Sequence, residues 1–329
     1  MTLSLHTAPT APGRATGSPM HASVVVCTYN RAESLRDTLR ALRALQPAPD
    51  RAWEVLVVDN NSKDHTRAVV EDAQRDWPLL RYAFEGEQGL SHARNRGIAS
   101  ARGEVVLFTD DDVLPEPDWL ETTLAGLETY GCDACGGYIA PIWESPPPSW
   151  LTERFYGFLA IRTDSTTDYP ISDYSRAPYG ANMAFRRTVF ARVGPFDTSR
   201  GRKGHILAGG EDIEMFERLL GAGMKAQFLG RSRVHHKVES YRLRRMYFLR
   251  WRFQASQHIA LQQGVSGVRR FMNVPLFMYK QLARAVGRSL YARVFCDGAE
   301  ALHRDMLVCH FLGTMHGLWR RRRQSPTWS

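Results

Sequence analysis

Cysteine is scarce: five in 329 residues, Cys27, Cys132, Cys135, Cys296 and Cys309. An odd, scattered set builds no disulfide framework, so a reducing compartment, the cytoplasm, is the expected home. The Cys132–x–x–Cys135 pair has no second pair at zinc spacing, and two small buried thiols are expected there. Long apolar runs are missing too. No stretch reaches the ~18 residues of a membrane span. The nearest, Met306 to Trp319, is shorter and holds His310 and His316. Residues 1–20 are rich in Ala, Pro, Thr, Gly and Ser without an apolar core, which reads as a flexible tail with no export signal. Finally, carboxylates are thin at one end. Residues 231–329 hold 19 Lys and Arg against 4 Asp and Glu, while residues 1–230 hold 24 against 30. The formal charge of +9 therefore hides an acidic front and a strongly basic back. The rest is ordinary, 43% hydrophobic and 23% charged, which excludes wholesale disorder and collagen-like repeats.

What is present follows a pattern. Residues 23–27 are a β-branched run stopped by Thr28-Tyr29-Asn30, and Leu35, Leu39, Leu42 and Leu45 then recur at helical spacing. Residues 55–58 predict a second strand ending in Asp59-Asn60-Asn61-Ser62, with a helix over about 64–76 behind it. Residues 82–84 make a weak third strand, 90–101 a helix, and 105–108 a fourth strand ending in Thr109-Asp110-Asp111-Asp112. Alternating strands and helices imply a parallel sheet flanked by helices, with ligands beyond the carboxyl ends of the strands. Three of those ends carry polar clusters. One such loop is turn chemistry; three on one sheet edge make a site. Past residue 130, Gly136-Gly137 and Pro141 to Pro148 predict loops. Helices are expected near 187–193 and at 211–221, and from about 240 the chain reads as helical and basic, broken near Gly264, Gly267 and Pro275.

The adjacent carboxylates Asp110, Asp111 and Asp112 repel one another, and a divalent cation with oxygen ligands offsets that. In an extended segment Asp110 and Asp112 face one side and Asp111 the other. A helix-capping cluster ahead of Pro115-Glu116-Pro117 is the plainer reading. Glu211-Asp212 follow Gly209-Gly210 and open an amphipathic helix, whose dipole favours their charged form. They read as a cap alone, and as a base near a metal when set beside the triplet. His235 and His236, just after an apolar segment, are either metal-ligating or surface histidines.

Taken in order, Thr28-Tyr29-Asn30-Arg31, Val57 to Ser62, Gly89 to Gly97, Phe108 to Asp112 and Gly210-Glu211-Asp212 resemble the family 2 glycosyltransferases of GT-A fold, over about residues 22–240. No glycine-rich dinucleotide loop, phosphate-binding P-loop or nucleophile elbow competes with that series. The resemblance implies an α/β fold with a Rossmann-like, mostly parallel central sheet, followed by a basic helical extension. It divides the chain into a tail (1–20), a nucleotide-sugar-binding half (21–130), an acceptor and catalytic-base half (131–240) and the extension (241–329). It also implies roles. Thr28, Tyr29, Asn30 and Glu33 line the nucleotide pocket, Asp59 accepts from the base, and Arg94 lies near the diphosphate. Asp110 and Asp112 form the DxD, with Asp111 between them; Asp112, Asp110 and His236 face Mn2+ or Mg2+. Gly180 and Asn182 shape the acceptor site, and Asp212, with Glu211 beside it, is the general base. The reaction implied is inverting transfer from a UDP-linked donor to a saccharide or lipid-linked acceptor in surface polysaccharide or glycolipid synthesis.

Two other classes would leave different marks. A nucleotidyltransferase would show a glycine-rich, lysine-bearing loop after the first strand, and Thr28-Tyr29-Asn30-Arg31 is not one. A non-catalytic nucleotide-sugar scaffold would show a broken DxD or a missing base. The basic back contains no nucleic-acid-binding motif. Arg242, Arg244, Arg245, Arg250 and Arg252 alternate with Leu243, Met246, Tyr247, Trp251 and other apolar residues, which suits an anionic membrane surface at the inner face of the plasma membrane, with Arg320 to Arg323 adding to it. A solvated helix packed on the catalytic domain is the bland alternative. Trp143, Trp150, Tyr156 and Tyr179 either stack on sugar rings or pack.

Overall fold

The structure is a computed structural model and describes residues 20–202, 209–262 and 269–324. The tail expected over 1–20 and the breaks expected at Gly264 and Gly267 lie, but for Met20, outside the described residues. The first half alternates as the sequence predicts: β1 (Ala22–Thr28), α1 (Ala32–Arg43), β2 (Trp53–Asp59), α2 (Thr66–Gln74), β3 (Leu80–Phe84), α3 (Leu90–Ser100) and β4 (Val105–Asp110). Strands β1, β2 and β4 are almost wholly buried, so they read as continuous apolar runs, as parallel strands covered on both faces do. The four strands pair in parallel in the order β3-β2-β1-β4. Helix α1 buries Leu35, Leu39 and Leu42 against one face of this sheet, and Ala93 of α3 packs with Val25 and Leu56 on the other.

The second half is β5 (Val113–Pro115), α4 (Trp119–Thr129), β6 (Ala134–Trp143), β7 (Tyr169–Ile171), β8 (Met183–Arg186), α5 (Arg187–Val193), α6 (Glu211–Gly221) and β9 (Ala226–Val238). Beyond β4 the sheet continues β8-β6-β9-β5, with β6 and β9 parallel and β8 antiparallel to both its neighbours. The whole is an α/β fold with a mostly parallel central sheet flanked by helices. The loops expected at Gly136-Gly137 and Pro141 are instead part of β6. The glycines are there for space: a Cβ on Gly136 would stand 2.1 Å from Pro178, and one on Gly137 2.1 Å from the Ser232 carbonyl. Cys132 and Cys135 are buried in the core, and burial pushes the Cys132 thiol up to about 11.

The chain then forms α7 (Arg245–Gln262), the hairpin β10 (Arg270–Phe271) and β11 (Val274–Pro275), α8 (Leu276–Phe295) and α9 (Gly298–Gln324). Phe248 of α7 is fully buried between Trp150 and Phe155, edge-on to both rings. Trp150 therefore packs inside the protein. Of the segment expected to face a membrane, Arg242, Leu243, Tyr247 and Phe248 are buried, Arg242 at 3% exposure against the sheet edge, while Arg244, Met246 and Arg250 are exposed.

Candidate functional site

Register sets the three strand ends level. Thr28 lies opposite Asp59, and Cys27 opposite Asp110. The loops after β1 and β2 are laced together: the Asn30 backbone N–H donates to Ser62 Oγ at 2.9 Å, and Asn30 Oδ1 accepts from the Lys63 N–H at 2.7 Å. Asn30 takes a left-handed backbone (φ 53°) to do so, which Asn tolerates better than most residues. Asp59 is buried, its Oδ1 accepting from the Ser62 N–H and its Oδ2 from the Tyr82 hydroxyl, both at 2.9 Å. Tyr29 is half-buried at this edge. Glu33, expected in the same pocket, is not brought to it: it is exposed on α1 and pairs with Arg36 and His65.

The carboxylate triplet is arranged differently from the pleat argument. The strand ends at Asp110, so Asp111 and Asp112 sit in a turn and do not alternate. Both are buried, while Asp110 is half-exposed and has no hydrogen-bond partner among the described residues. The Thr28 hydroxyl donates to Asp111 Oδ2 at 2.7 Å, so Thr28 supports the turn from beneath. Arg31 straddles the pair, with Nε 3.1 Å from Asp111 and Nη2 3.0 Å from Asp112 and 3.3 Å from Glu239. Burial raises the Asp111 carboxyl to about 7 against the pull of Arg31. At Asp112 the cost of burial is outweighed: His236, then Arg31 and Arg242, hold its carboxyl well below the usual range.

His236 arrives on β9, where Val113 of β5 is its cross-strand partner. Its Nε2 stands 3.3 Å from Asp112 Oδ1 and 3.2 Å from Arg242 Nη1, and its Nδ1 is buried without a partner. His235 points to the other face and meets Glu116 at 3.1 Å, as strand alternation requires. The Nδ1 of His236 is thus a buried nitrogen whose hydrogen-bonding capacity no protein group among the described residues meets, the kind of orphaned atom that a ligand or ion satisfies. One oxygen and one imidazole nitrogen are also suitable donors for Mn2+ or Mg2+, which complete their shells with water and substrate phosphate. The residues present therefore fit such an ion, although no group of three or more possible ligands occurs among the described residues.

Across the cleft, Gly210 (φ 104°) opens α6, placing Glu211 and Asp212 in its first turn. Glu211 is buried against Arg94 of α3, Oε1 to Nη1 at 2.7 Å, and its Oε2 has no partner. Arg94 thus spends its charge on Glu211, Asp110 and Asp212, which together keep its pKa high in spite of burial. It does not lie open to a diphosphate. Its guanidinium rests on Gly180, where a Cβ would come within 1.8 Å of Nη2. Gly180 in turn donates its backbone N–H to Asp212 Oδ2 at 3.3 Å, and Ile213 donates to Oδ1 at 2.8 Å. Burial, then the neighbouring Glu211, raises the half-buried Asp212 to about 6, against Arg94 and these two N–H groups.

Asn182 faces inward, a correction to its expected acceptor contact. It is 1% exposed, donates to the Tyr138 and Ser232 carbonyls, and accepts from Trp119 Nε1 at 2.9 Å. It locks the loop that carries Gly180. Beside that loop lies a cavity of about 270 Å³ lined by Tyr156, Arg162, Asp164, Arg176 and Tyr179, among others. Three residues not expected at this site reach it: Arg31, Glu239 and Arg242, the last of them expected at a membrane surface. Arg31 was visible as the last residue of the first strand's polar cluster. Arg242 was hidden in a run of arginines that reads as surface.

The profile of glycosyl transferase family 2 matches residues 23–194. A glucosyl-dolichyl phosphate glucuronosyltransferase of Haloferax volcanii is 33% identical over 230 residues, 68% of this chain and 71% of the relative. The succinoglycan biosynthesis protein ExoM of Rhizobium meliloti is 29% identical, covering 78% and 80%. Among solved structures, the mannosyltransferase PcManGT of Pyrobaculum calidifontis, in complex with GDP-Man and Mn2+, superposes with a TM-score of 0.62 at 21% identity, over 91% of this chain and 87% of that one. That likeness gives the GT-A fold.

Proposed function

The chain belongs to glycosyl transferase family 2, and on that premise we propose an inverting enzyme that moves a sugar from a UDP-linked donor to the hydroxyl of a saccharide or lipid-linked acceptor. The pathway we assign is surface polysaccharide or glycolipid synthesis at the cytoplasmic side of a membrane. The observation that carries the mechanism is Asp212: a half-buried carboxylate at the start of α6, anchored through Arg94–Glu211 and aimed by the Gly180 and Ile213 N–H groups.

Asp59 and Asn30 hold the β1 and β2 loops around the base and ribose. Asp112 and His236 would hold Mn2+ or Mg2+, with Asp110 beside them on the donor side. Bound there, a divalent cation would supply positive charge to offset that on the leaving diphosphate. Arg31 and Arg242 add two positive charges next to Asp112, and the buried Nε and Nη2 of Arg242 have no hydrogen-bond partner among the described residues. The acceptor hydroxyl attacks the anomeric carbon while Asp212 takes its proton, and the bond to the diphosphate breaks with its electron pair. One displacement inverts the centre. The cavity beside Tyr179 is our candidate for the acceptor's approach.

Purified protein with Mn2+ and a panel of nucleotide sugars should release UDP. Asp212→Asn should lower transfer by about 10²–10⁴ while UDP binding, followed by calorimetry, stays unchanged. Wild-type turnover in that variant would overturn the base.

A further inference from the structure

A surface helix of a globular protein ordinarily turns its apolar stripe to the core. α8 does the reverse. Its buried positions are Met278, Ala285, Ser289 and Ala292, mostly small residues that allow close packing on α9. Its outward side carries Leu276, Phe277, Leu290, Tyr291, Val294 and Phe295, all at least half exposed, with Val294 at 72% and Phe295 at 70%. Of the twenty large hydrophobic side chains exposed among the described residues, ten fall between Phe271 and Phe295. They form one patch. Positions 276, 283, 290 and 294 align along the helix, and Tyr291 and Phe295 stack at 4.8 Å.

The turn before α8 extends the patch. Met272 (φ 50°) and Asn273 (φ 65°) make a two-residue turn, and Asn273 Nδ2 donates to the Leu318 carbonyl at 2.6 Å, fastening the hairpin to α9. Phe271, 58% exposed, packs on Tyr279, whose hydroxyl donates to the Phe271 carbonyl. Aromatic rings are thus fixed on an outer surface.

Cations run beside this apolar row, Lys280 and Arg284 among its outer members and Arg288 at its edge. Lys280, Arg284 and Arg288 are exposed and have no carboxylate partner among the described residues. No Asp or Glu occurs anywhere between Glu239 and Asp297. Two copies packed through α8 would therefore bring unpaired cations together with no opposite charge on either face. An anionic lipid surface satisfies both features. No helix among the described residues is long and apolar enough to cross a membrane, so α8, about 30 Å long, would lie along it.

We propose that α8 and the β10–β11 turn are a membrane-docking surface: the helix lies in the plane of an anionic bilayer, its apolar row among the acyl chains and Lys280, Arg284 and Arg288 at the headgroup phosphates. This deepens the reading of a lipid-linked acceptor, yet it stands on exposure and charge and not on catalysis.

The test is flotation of the full chain with vesicles of equal parts phosphatidylglycerol and phosphatidylethanolamine, and with phosphatidylcholine vesicles. Binding should favour the anionic set. L290E/V294E should lower partitioning at least about tenfold, and R284Q/R288Q roughly thirtyfold at ~1 kcal/mol per charge, both with unchanged far-UV circular dichroism. Failure of the wild type to bind anionic vesicles, or wild-type binding by both variants, would overturn the proposal. So would a dimer in sedimentation velocity that L290E/V294E dissolves, because the face would then belong to a second copy. Vesicle binding without any sugar transfer would leave this inference standing and remove the catalytic one.

Discussion

Asp212 shows how one residue's surroundings set its chemistry. Burial and Glu211 raise its carboxyl from 3.8 to about 6. A base must be unprotonated, so kcat/KM should fall as pH drops through about 6, and a rate–pH profile measures it. Stability runs the other way. The folded protein holds the Asp212 proton more tightly than the unfolded chain, whose value is near the 3.8 reference. Between those two values, stability is lost as pH rises, and the loss persists above them. Asp212→Asn carries no such charge. Its melting temperature at pH 8 should equal or exceed that of the wild type, although transfer is much slower. A variant that melts lower at pH 8 and higher at pH 4 would contradict the sign. The neighbouring Gly180 is bound to the same chemistry by space, because a Cβ there would displace Arg94.

At the scale of elements, the site is two pieces clamped together, and the clamp is Arg94–Glu211. It joins α3, under the parallel strands, to α6. Both side chains are buried, so removing one strands the other's charge. Arg94→Met should cost about 3–5 kcal/mol in urea unfolding, and Arg94→Met/Glu211→Met markedly less. If the double variant loses the sum of the two single losses, the pair is not a coupled clamp. The parallel half was legible because strands buried on both faces are apolar runs and their ends are polar: β1, β2, β4 and their loops stand where the pattern puts them. The helix of Glu211–Gly221 was legible from its stripe and its two leading glycines. The β6–β9 half was not. β6 carries Gly136 and Gly137 as its third and fourth residues, which signal a turn in sequence but here admit Pro178 and the Ser232 backbone. Asp111 and Asp112 defeated the pleat argument because the strand stops one residue earlier. Arg94 and Asn182 are buried against partners 117 and 50 residues away, which local patterns do not encode.

Across the whole molecule, the acidic front and the basic back are not two bodies. Arg242, from the basic end, sits at 3% exposure beside Asp112 and His236, and Trp150 and Phe155 of the middle of the chain close around Phe248 of α7. The charge split of −6 and +15 thus separates along the sequence but meets in space at the sheet edge. If α7–α9 were an independent unit, its unfolding would precede or follow that of the sheet, and a core change in α7 would move only one of two transitions. A shared aromatic cluster predicts one transition instead. Phe248→Ala removes a fully buried ring that touches both parts, and should lower that single transition by about 3–5 kcal/mol. Calorimetry read alongside tryptophan fluorescence checks it. Two separated transitions, with the larger unmoved by Phe248→Ala, would make the extension an appendage; a common shift makes residue 242 and its helix part of the catalytic domain's own fold.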